Sequence, residues 1–156
     1  MKILFIEDDD EKRNKINIFL NNIFKELNII DKKSYHSGLS SLVKKEPYDI
    51  VLMDMSMPNF DVISDESEGG TPESFAGRKL LEQMKFRFID YPVIVITQFE
   101  SFGEHVEKLS FKELNEELEE KFKPFYKSMV YYHSSESDWK ENLEIEINKI
   151  LEDKDD

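Results

Sequence analysis

The chain has 156 residues, 39% of them hydrophobic, and a formal net charge of −13. This length and apolar content suit one compact domain over residues 1–156, while the negative charge argues against direct binding to nucleic acid or to an anionic membrane surface. The absence of cysteine excludes disulfides and thiolate metal sites, and no segment has the length of a signal sequence or a membrane-spanning helix. We therefore expect a cytoplasmic protein.

The first half of the chain alternates apolar strands with amphipathic helices. KILFI at 2–6 predicts a strand buried on both faces, and apolar residues at helical spacing over 16–27 predict the first helix. The more polar KKSYH at 32–36 is predicted as an edge strand, and a short helix is expected after Ser37. DIVLM at 49–53 then predicts another buried strand.

The second half continues the same alternation. Leucines and a methionine over 80–84 predict a third helix, and VIVI at 93–96 predicts a buried strand. Ser110 and Glu113 have the spacing of a capping box ahead of a fourth helix. SMVYYH at 128–133 predicts the last strand, and a last helix follows it. Five strands alternating with five helices predict an α/β fold, an open parallel sheet with helices on both faces.

Two connections are longer than a plain loop requires. Residues 61–75 carry five acidic residues, no basic one and two adjacent glycines, which predicts an acidic loop insertion. It is most simply a solvated loop, and a gate or a partner-docking element is the alternative. The extended connection over 98–127 is long enough that it must contain one helix or two of its own.

Polar side chains follow the predicted strands at the points where the strands end. Glu7 and Asp8 follow the first strand, Asp54 follows the third, and Thr97 follows the fourth. Because functional groups of an open parallel sheet gather beyond the carboxyl ends of its strands, we expect these side chains to converge. Carboxylates this close need a cation, and ligation by oxygen alone suits Mg²⁺.

The segments ILFIED, IVLMDMSMP and VIVIT, in this order and at these intervals, resemble the receiver domain of two-component response regulators. The resemblance covers nearly the whole chain and implies a doubly wound, flavodoxin-like (βα)5 fold with strand order 2-1-3-4-5. It implies that Asp54 is the phosphoacceptor, and that Glu7 and Asp8 hold Mg²⁺ together with Asp54 and the backbone carbonyl of Ser56. It also implies that the hydroxyl of Thr97 contacts the phosphoryl group.

The chemistry of an aspartyl phosphate explains this set of residue types. A carboxylate is a weak nucleophile toward an anionic phosphoryl group, so a cation must screen the repulsion between them. The product adds charge, and reorienting Thr97 toward it would move the following loop. The resemblance implies coupling to an aromatic residue in the last strand, for which Tyr131 and Tyr132 are the candidates.

The resemblance also implies what the chain interacts with. The expected phosphodonor is a sensor histidine kinase or a histidine phosphotransfer protein, and the expected output is contact with a downstream protein target. On this interpretation the chain is a phosphoaccepting signalling domain rather than an enzyme, and it contacts neither nucleic acid nor a membrane directly.

The sequence departs from the family pattern after the last strand. The family has a lysine there, usually followed by proline, whereas YYHSSESDW at 131–139 contains neither. Loss of such a charge-assisted hydrogen bond, worth roughly 1.5–3 kcal/mol, would weaken phosphorylation or its coupling to the output. A protonated His133 is a candidate substitute, although a histidine without phosphoryl contact is expected more often. Gln98 is also larger than the small residue that the family usually has after its hydroxyl residue.

Other functions remain open. A pseudo-receiver would keep the fold as a protein-binding module that is not regulated by phosphorylation, and the missing lysine and the two long connections favour it. A hydrolase of the haloacid dehalogenase type is disfavoured because it needs a second acid where Ser56 stands. A flavodoxin-like cofactor protein is disfavoured because EDDDE after the first strand would repel the phosphate of FMN.

Overall fold

The computed structural model describes residues 1–61, 72–99, 101–102 and 109–156. Its strands are β1 (Lys2–Ile6), β2 (Asn28–Lys32), β3 (Ile50–Met53), β4 (Val93–Thr97), β5 (Ser101–Phe102), β6 (Leu109–Ser110) and β7 (Tyr126–Tyr131). Five of them form a parallel sheet in the order β2-β1-β3-β4-β7, while β5 and β6 form a separate antiparallel pair. The predicted order 2-1-3-4-5 is confirmed, with β7 as the fifth strand of the main sheet.

Five helices are present in the described part of the chain. They are α1 (Asp10–Ile23), α2 (Tyr35–Val43), α3 (Ala76–Phe86), α4 (Phe111–Lys121) and α5 (Asp138–Asp155). The buried apolar side chains of α1 and α5 belong to one cluster, and those of α2, α3 and α4 belong to a second. Because strand residues alternate between the two clusters, helices cover both faces of the sheet, as predicted. No described helix is long and apolar enough to cross a membrane.

The predicted edge strand at 32–36 is wrong. The edge strand is β2, which pairs in parallel with β1 and ends at Lys32. The rest of the segment begins α2, because Ser34 and Ser37 form a reciprocal cap. The backbone N–H of Ser37 donates to the Ser34 hydroxyl at 3.2 Å, and the Ser37 hydroxyl accepts from the N–H of Ser34 at 3.1 Å. This cap fixes the helix start at Tyr35, earlier than predicted.

Two other boundaries also differ from the predictions. The first helix ends at Ile23, because the backbone of Phe24 is extended, and the predicted continuation to Leu27 is absent. The last strand begins at Tyr126, two residues before the predicted start, and it pairs with β4 through a register irregularity near Val93. Both changes leave the order of elements intact.

The two long connections are described in part. In the connection over 98–127, the N–H of Glu113 donates to the Ser110 hydroxyl at 3.1 Å, and that hydroxyl donates to the Glu113 carboxylate at 3.0 Å. Ser110 therefore caps α4 as predicted. The acidic insertion predicted at 61–75 falls largely on residues 62–71, which lie outside the described residues. Just after them, Glu73 exchanges two backbone hydrogen bonds with Met57, at 3.0 and 3.3 Å.

Candidate functional site

Three carboxylates meet at the carboxyl edge of the sheet. Glu7 and Asp8 directly follow β1, and Asp54 directly follows β3. These strands are parallel neighbours, and the N–H of Asp54 donates to the Ile6 carbonyl at 3.1 Å, so the residues after them lie side by side. One carboxylate oxygen of each acid lies within 4.8 Å of the others. The structure therefore brings together the three acids that the sequence singled out.

Asp54 begins a turn, residues 54–59, that accepts backbone hydrogen bonds from the first turns of α2 and α3. The backbone N–H groups of Tyr35 and His36, at the start of α2, each donate to a carbonyl of the turn at 2.9 Å. On the other side, the N–H of Gly77 in α3 donates to the carbonyl of Met55 at 2.8 Å. These backbone hydrogen bonds fix the position from which the Asp54 side chain projects.

Thr97 and Ser56 complete the set of predicted site residues. Thr97 is fully buried at the end of β4, which pairs in parallel with β3, and it therefore ends at the same edge of the sheet as Asp54. Ser56 is partly buried in the turn, two residues after Asp54. Gln98, which follows Thr97, is exposed. Both Thr97 and Ser56 thus stand at the sheet edge that carries the acids.

A lysine that the sequence analysis missed lies at the centre of the site. Lys12, in the first turn of α1, exposes only 2% of its surface. Its Nζ lies 2.5 Å from Glu7 Oε1 and 3.0 Å from Asp54 Oδ2, and it donates to the Ile96 carbonyl at 2.8 Å. The same Nζ is 5.7 Å from the ring centroid of Tyr132. A buried ammonium thus bridges two acids and the adjacent strand.

The sequence contains a signal that makes this lysine a candidate site residue. Lys12, Ile16 and Leu20 are spaced by four residues and are all buried, so the lysine continues the apolar face of α1. Side chains of a helix tilt toward its N-terminus, and the N-terminus of α1 lies beside the carboxyl end of β1. A cation at that end of an apolar face therefore points toward the strand-end acids.

Burial and mutual repulsion set the protonation of these groups. Burial raises the pKa of Glu7 to about 8, with Lys12 opposing the rise and Asp54 adding to it. Burial also raises the pKa of Asp8, and the charge of Asp54 adds to that rise. Burial lowers the pKa of Lys12, but the charges of Asp54 and Glu7 outweigh burial, so the net pKa is raised and the ammonium stays protonated.

The site has the features of a divalent cation site. Glu7 Oε1 is buried and accepts no hydrogen bond from the described residues, although it is paired in charge with Lys12. When all four groups are ionised, the single ammonium leaves two negative charges uncompensated on the three carboxylates. The donors are all oxygens, which is the ligand type that Mg²⁺ prefers. Glu7, Asp8 and Asp54 therefore fit this ion in both charge and ligand type.

The end of β7 contributes side chains to both faces of the sheet. Tyr132 is buried in the apolar cluster of α1 and α5, whereas Tyr131 is partly exposed and packs edge-on against Phe111 of α4 at 6.2 Å. His133 is exposed, and its Nδ1 lies 2.8 Å from the hydroxyl of Ser135. The cation that contacts Asp54 thus comes from α1, and the described contacts of His133 are with its own segment.

Comparisons with known proteins give two relatives and several solved folds. No protein-family model matches the chain. It is 30% identical over 152 residues to the Detocs response regulatory protein DtcB of Enterobacter cloacae, covering 97% of this chain and 99% of that protein. It is 28% identical over 142 residues to the uncharacterized protein y4jR of Sinorhizobium fredii, covering 90% and 92% of the two chains.

The solved structures with a similar fold include receiver domains. A response regulator receiver domain protein from Clostridium thermocellum matches with a TM-score of 0.65 at 18% identity, over 99% of this chain and 96% of that one. The receiver domain of the Francisella response regulator 1452 matches with a TM-score of 0.64 at 18% identity, over 98% of each chain. These likenesses concern the fold.

Proposed function

The chain belongs to the response regulator receiver family, and from that premise we propose that it accepts a phosphoryl group on Asp54 in a Mg²⁺-dependent reaction. The observation that carries the proposal is the meeting of Glu7, Asp8 and Asp54 within 4.8 Å at the carboxyl edge of the sheet. Signalling then follows from the added charge, which changes the face that a partner protein recognises.

Asp54 provides the nucleophilic oxygen. Its Oδ1 accepts a hydrogen bond from the N–H of Met55 at 2.6 Å, which fixes the orientation of the carboxylate. A carboxylate oxygen attacks the phosphorus of the donor, the bond between phosphorus and the leaving group breaks, and the leaving group departs with the bonding electrons. When bound, Mg²⁺ supplies positive charge that offsets the repulsion between the carboxylate and the phosphoryl oxygens. Glu7, Asp8, Asp54 and the Ser56 carbonyl would hold the ion.

Thr97 and Tyr131 form the proposed route to the output. Thr97 is proposed to contact the phosphoryl group through its hydroxyl, and it pairs in register with Tyr131 of β7. Tyr131 in turn packs against Phe111 at the start of α4. This chain of contacts favours Tyr131 over Tyr132 as the aromatic that couples the site to a partner-binding face. The proposed phosphodonor is a sensor histidine kinase or a histidine phosphotransfer protein, and the proposed output is a downstream protein target.

The test is incubation of the full chain with Mg²⁺ and acetyl phosphate, followed by intact mass measurement. We expect a mass increase of one phosphoryl group that EDTA prevents and that is absent from the Asp54→Asn variant. Asp8→Asn should slow the reaction, whereas Glu11→Gln, which removes an exposed acid of the first turn of α1, should not. A chain that forms no Asp54-dependent adduct contradicts the proposal.

A second candidate function is a pseudo-receiver that binds proteins without being phosphorylated. The observation that favours it is the ion pair of Lys12 with both Glu7 and Asp54, because this contact already compensates part of the acidic charge. The two functions give different results in the acetyl phosphate experiment and in a beryllofluoride binding experiment. A pseudo-receiver gives neither the adduct with acetyl phosphate nor Asp54-dependent binding of beryllofluoride.

A further inference from the structure

The position of Lys12 is unfavourable for a charged lysine unless nearby acids compensate its charge. It lies three residues after the N-cap residue Asp9, where the positive end of the helix dipole disfavours a cation. Its side chain is also almost fully buried, and taking an ammonium out of water carries a large penalty. Ion pairs with Glu7 and Asp54 offset this penalty, and the ammonium donates hydrogen bonds to Asp54 and to the Ile96 carbonyl.

We propose that Lys12 is the phosphoryl-binding cation of this protein and takes the place of the lysine that the family has after its last strand. This inference rests on the proposed function of Asp54. In the described part of the chain, Lys12 is the only basic side chain that forms an ion pair with Asp54. The segment after β7 supplies His133 instead of a lysine, and His133 is exposed and contacts Ser135.

The geometry of the ammonium fits this role. Nζ lies between Asp54, which follows β3, and Ile96, which lies on β4 directly before Thr97. A phosphoryl group on Asp54 adds acceptor oxygens next to the carboxylate that Lys12 already contacts. The four-carbon stem of lysine is flexible, so the ammonium can exchange its contact with Glu7 for a phosphoryl oxygen and keep its bond to the Ile96 carbonyl.

The proposal also explains the sequence after β7. If α1 provides the cation, the segment 131–139 needs neither a lysine nor a proline for phosphoryl binding. The aromatic ring of Tyr132, from the same segment, instead lies 5.7 Å from the Lys12 ammonium and helps to exclude water from it. In this proposal the phosphoryl-binding cation comes from α1 and not from the segment after the last strand.

The experiment measures the rate of Asp54 phosphorylation in full-length variants. Lys12→Gln should lower the rate by roughly ten- to a hundredfold, the factor that one charge-assisted hydrogen bond supplies. Lys12→Arg keeps the charge and should restore part of the rate. Lys15→Gln is the matched control, since Lys15 lies one turn along α1, is exposed and pairs with Glu11 at 3.2 Å. Its rate should equal that of the wild type.

The outcomes separate this inference from the proposed function. If the wild type forms the adduct and Lys12→Gln forms it equally fast, the role of Lys12 is overturned and the function of Asp54 stands. If the wild type forms no adduct, both are overturned.

A measurement on the wild type covers the case in which the Lys12 variants fail to fold. Phosphorylation should shift the ¹H–¹⁵N resonance of the Lys12 ammonium and leave that of Lys15 unmoved. A Lys12 ammonium resonance that does not respond to the Asp54 adduct overturns the inference.

Discussion

Replacing Gly77 by alanine should damage both stability and the Asp54 site. A Cβ atom at Gly77 would lie 2.6 Å from the carbonyl oxygen of Asp54 and 3.0 Å from the Cα of Met55. Both neighbours are backbone atoms, so neither can rotate away as the end of a side chain can. Since ordinary contact begins at 3.4 Å, α3 and the turn must separate by about 0.8 Å.

The cost follows from this separation. Overpacking of this kind costs about 1–3 kcal/mol, and stretching the bond from the Gly77 N–H to the Met55 carbonyl removes about 1 kcal/mol more. Alanine returns at most about 1 kcal/mol through its better helix propensity. The net loss of about 1–3 kcal/mol corresponds to a fall in Tm of roughly 2–12 °C. Because the displaced atom belongs to Asp54, misplacement of the nucleophile should also slow phosphorylation, by up to about a hundredfold.

The assay compares Gly77→Ala with Gly38→Ala by calorimetry and by the rate of adduct formation. Gly38 is the matched control, because the three atoms nearest to its added Cβ all belong to the side chain of Ile6, the closest at 2.8 Å, and the adjacent acid Glu7 need not move. We expect Gly38→Ala to change stability less and to keep the phosphorylation rate. A Gly77→Ala variant that is as stable and as reactive as the wild type would refute the close contact of α3 with the turn.

Three further predictions concern single side chains. Burial raises the pKa of Glu7 to about 8 from an ordinary 4.5. Between these pH values the folded chain retains a proton that the unfolded chain releases, so the free energy of unfolding should fall as the pH rises from 4.5 to 8. In EDTA, the urea midpoint of Glu7→Gln should therefore fall less over this range than that of the wild type, and parallel curves would contradict the shift. Ser34→Ala removes the cap of α2 and should cost about 1 kcal/mol in urea unfolding, whereas Ser40→Ala, at an exposed position of the same helix, should cost almost nothing. Tyr132→Phe should change the free energy of unfolding by less than about 0.5 kcal/mol, because the buried hydroxyl has no hydrogen-bond partner among the described residues; a loss above about 1 kcal/mol would indicate a partner.

The sheet could be predicted because its central strands are buried on both faces. The predicted bounds of β1, β3 and β4 agree with the structure to within one residue, since continuous apolar segments of this length leave few alternatives. The position of the edge strand β2 was predicted wrongly because its residues lack a continuous apolar pattern. Its pattern Asn28–Lys32 is half-exposed and weak, and the cap formed by Ser34 and Ser37 decided where the chain turned helical.

The acids of the site could be predicted from the sequence because the order of the parallel strands decides which strand ends lie side by side. Residues that follow adjacent parallel strands must end at one edge, so Glu7, Asp8 and Asp54 were predicted to converge without any side-chain detail. Lys12 was not predicted as a site residue because a lysine in the first turn of a helix is normally solvated. A single charged residue on an apolar face also leaves the helical spacing of the apolar residues unchanged. Its spacing places Lys12 on the apolar face of α1, but the spacing does not show whether the ammonium reaches the acids or turns toward solvent.

The electrostatics of the site connect Lys12 to the choice between a receiver and a pseudo-receiver. Buried acids that meet must be neutralised by protons, by a cation from the protein or by a metal ion, and here the raised pKa of Glu7 and the ammonium of Lys12 already supply the first two. A metal ion therefore competes with a proton and a lysine for the same oxygens. If Lys12 stayed on Glu7 and Asp54, the site would be a stable ion pair and nothing more. Its bond to the Ile96 carbonyl gives the ammonium an anchor on β4 that does not depend on either acid, so it can leave Glu7 without entering an apolar region unpaired. In the proposed function, that third contact keeps the ammonium beside Asp54 when it exchanges Glu7 for a phosphoryl oxygen.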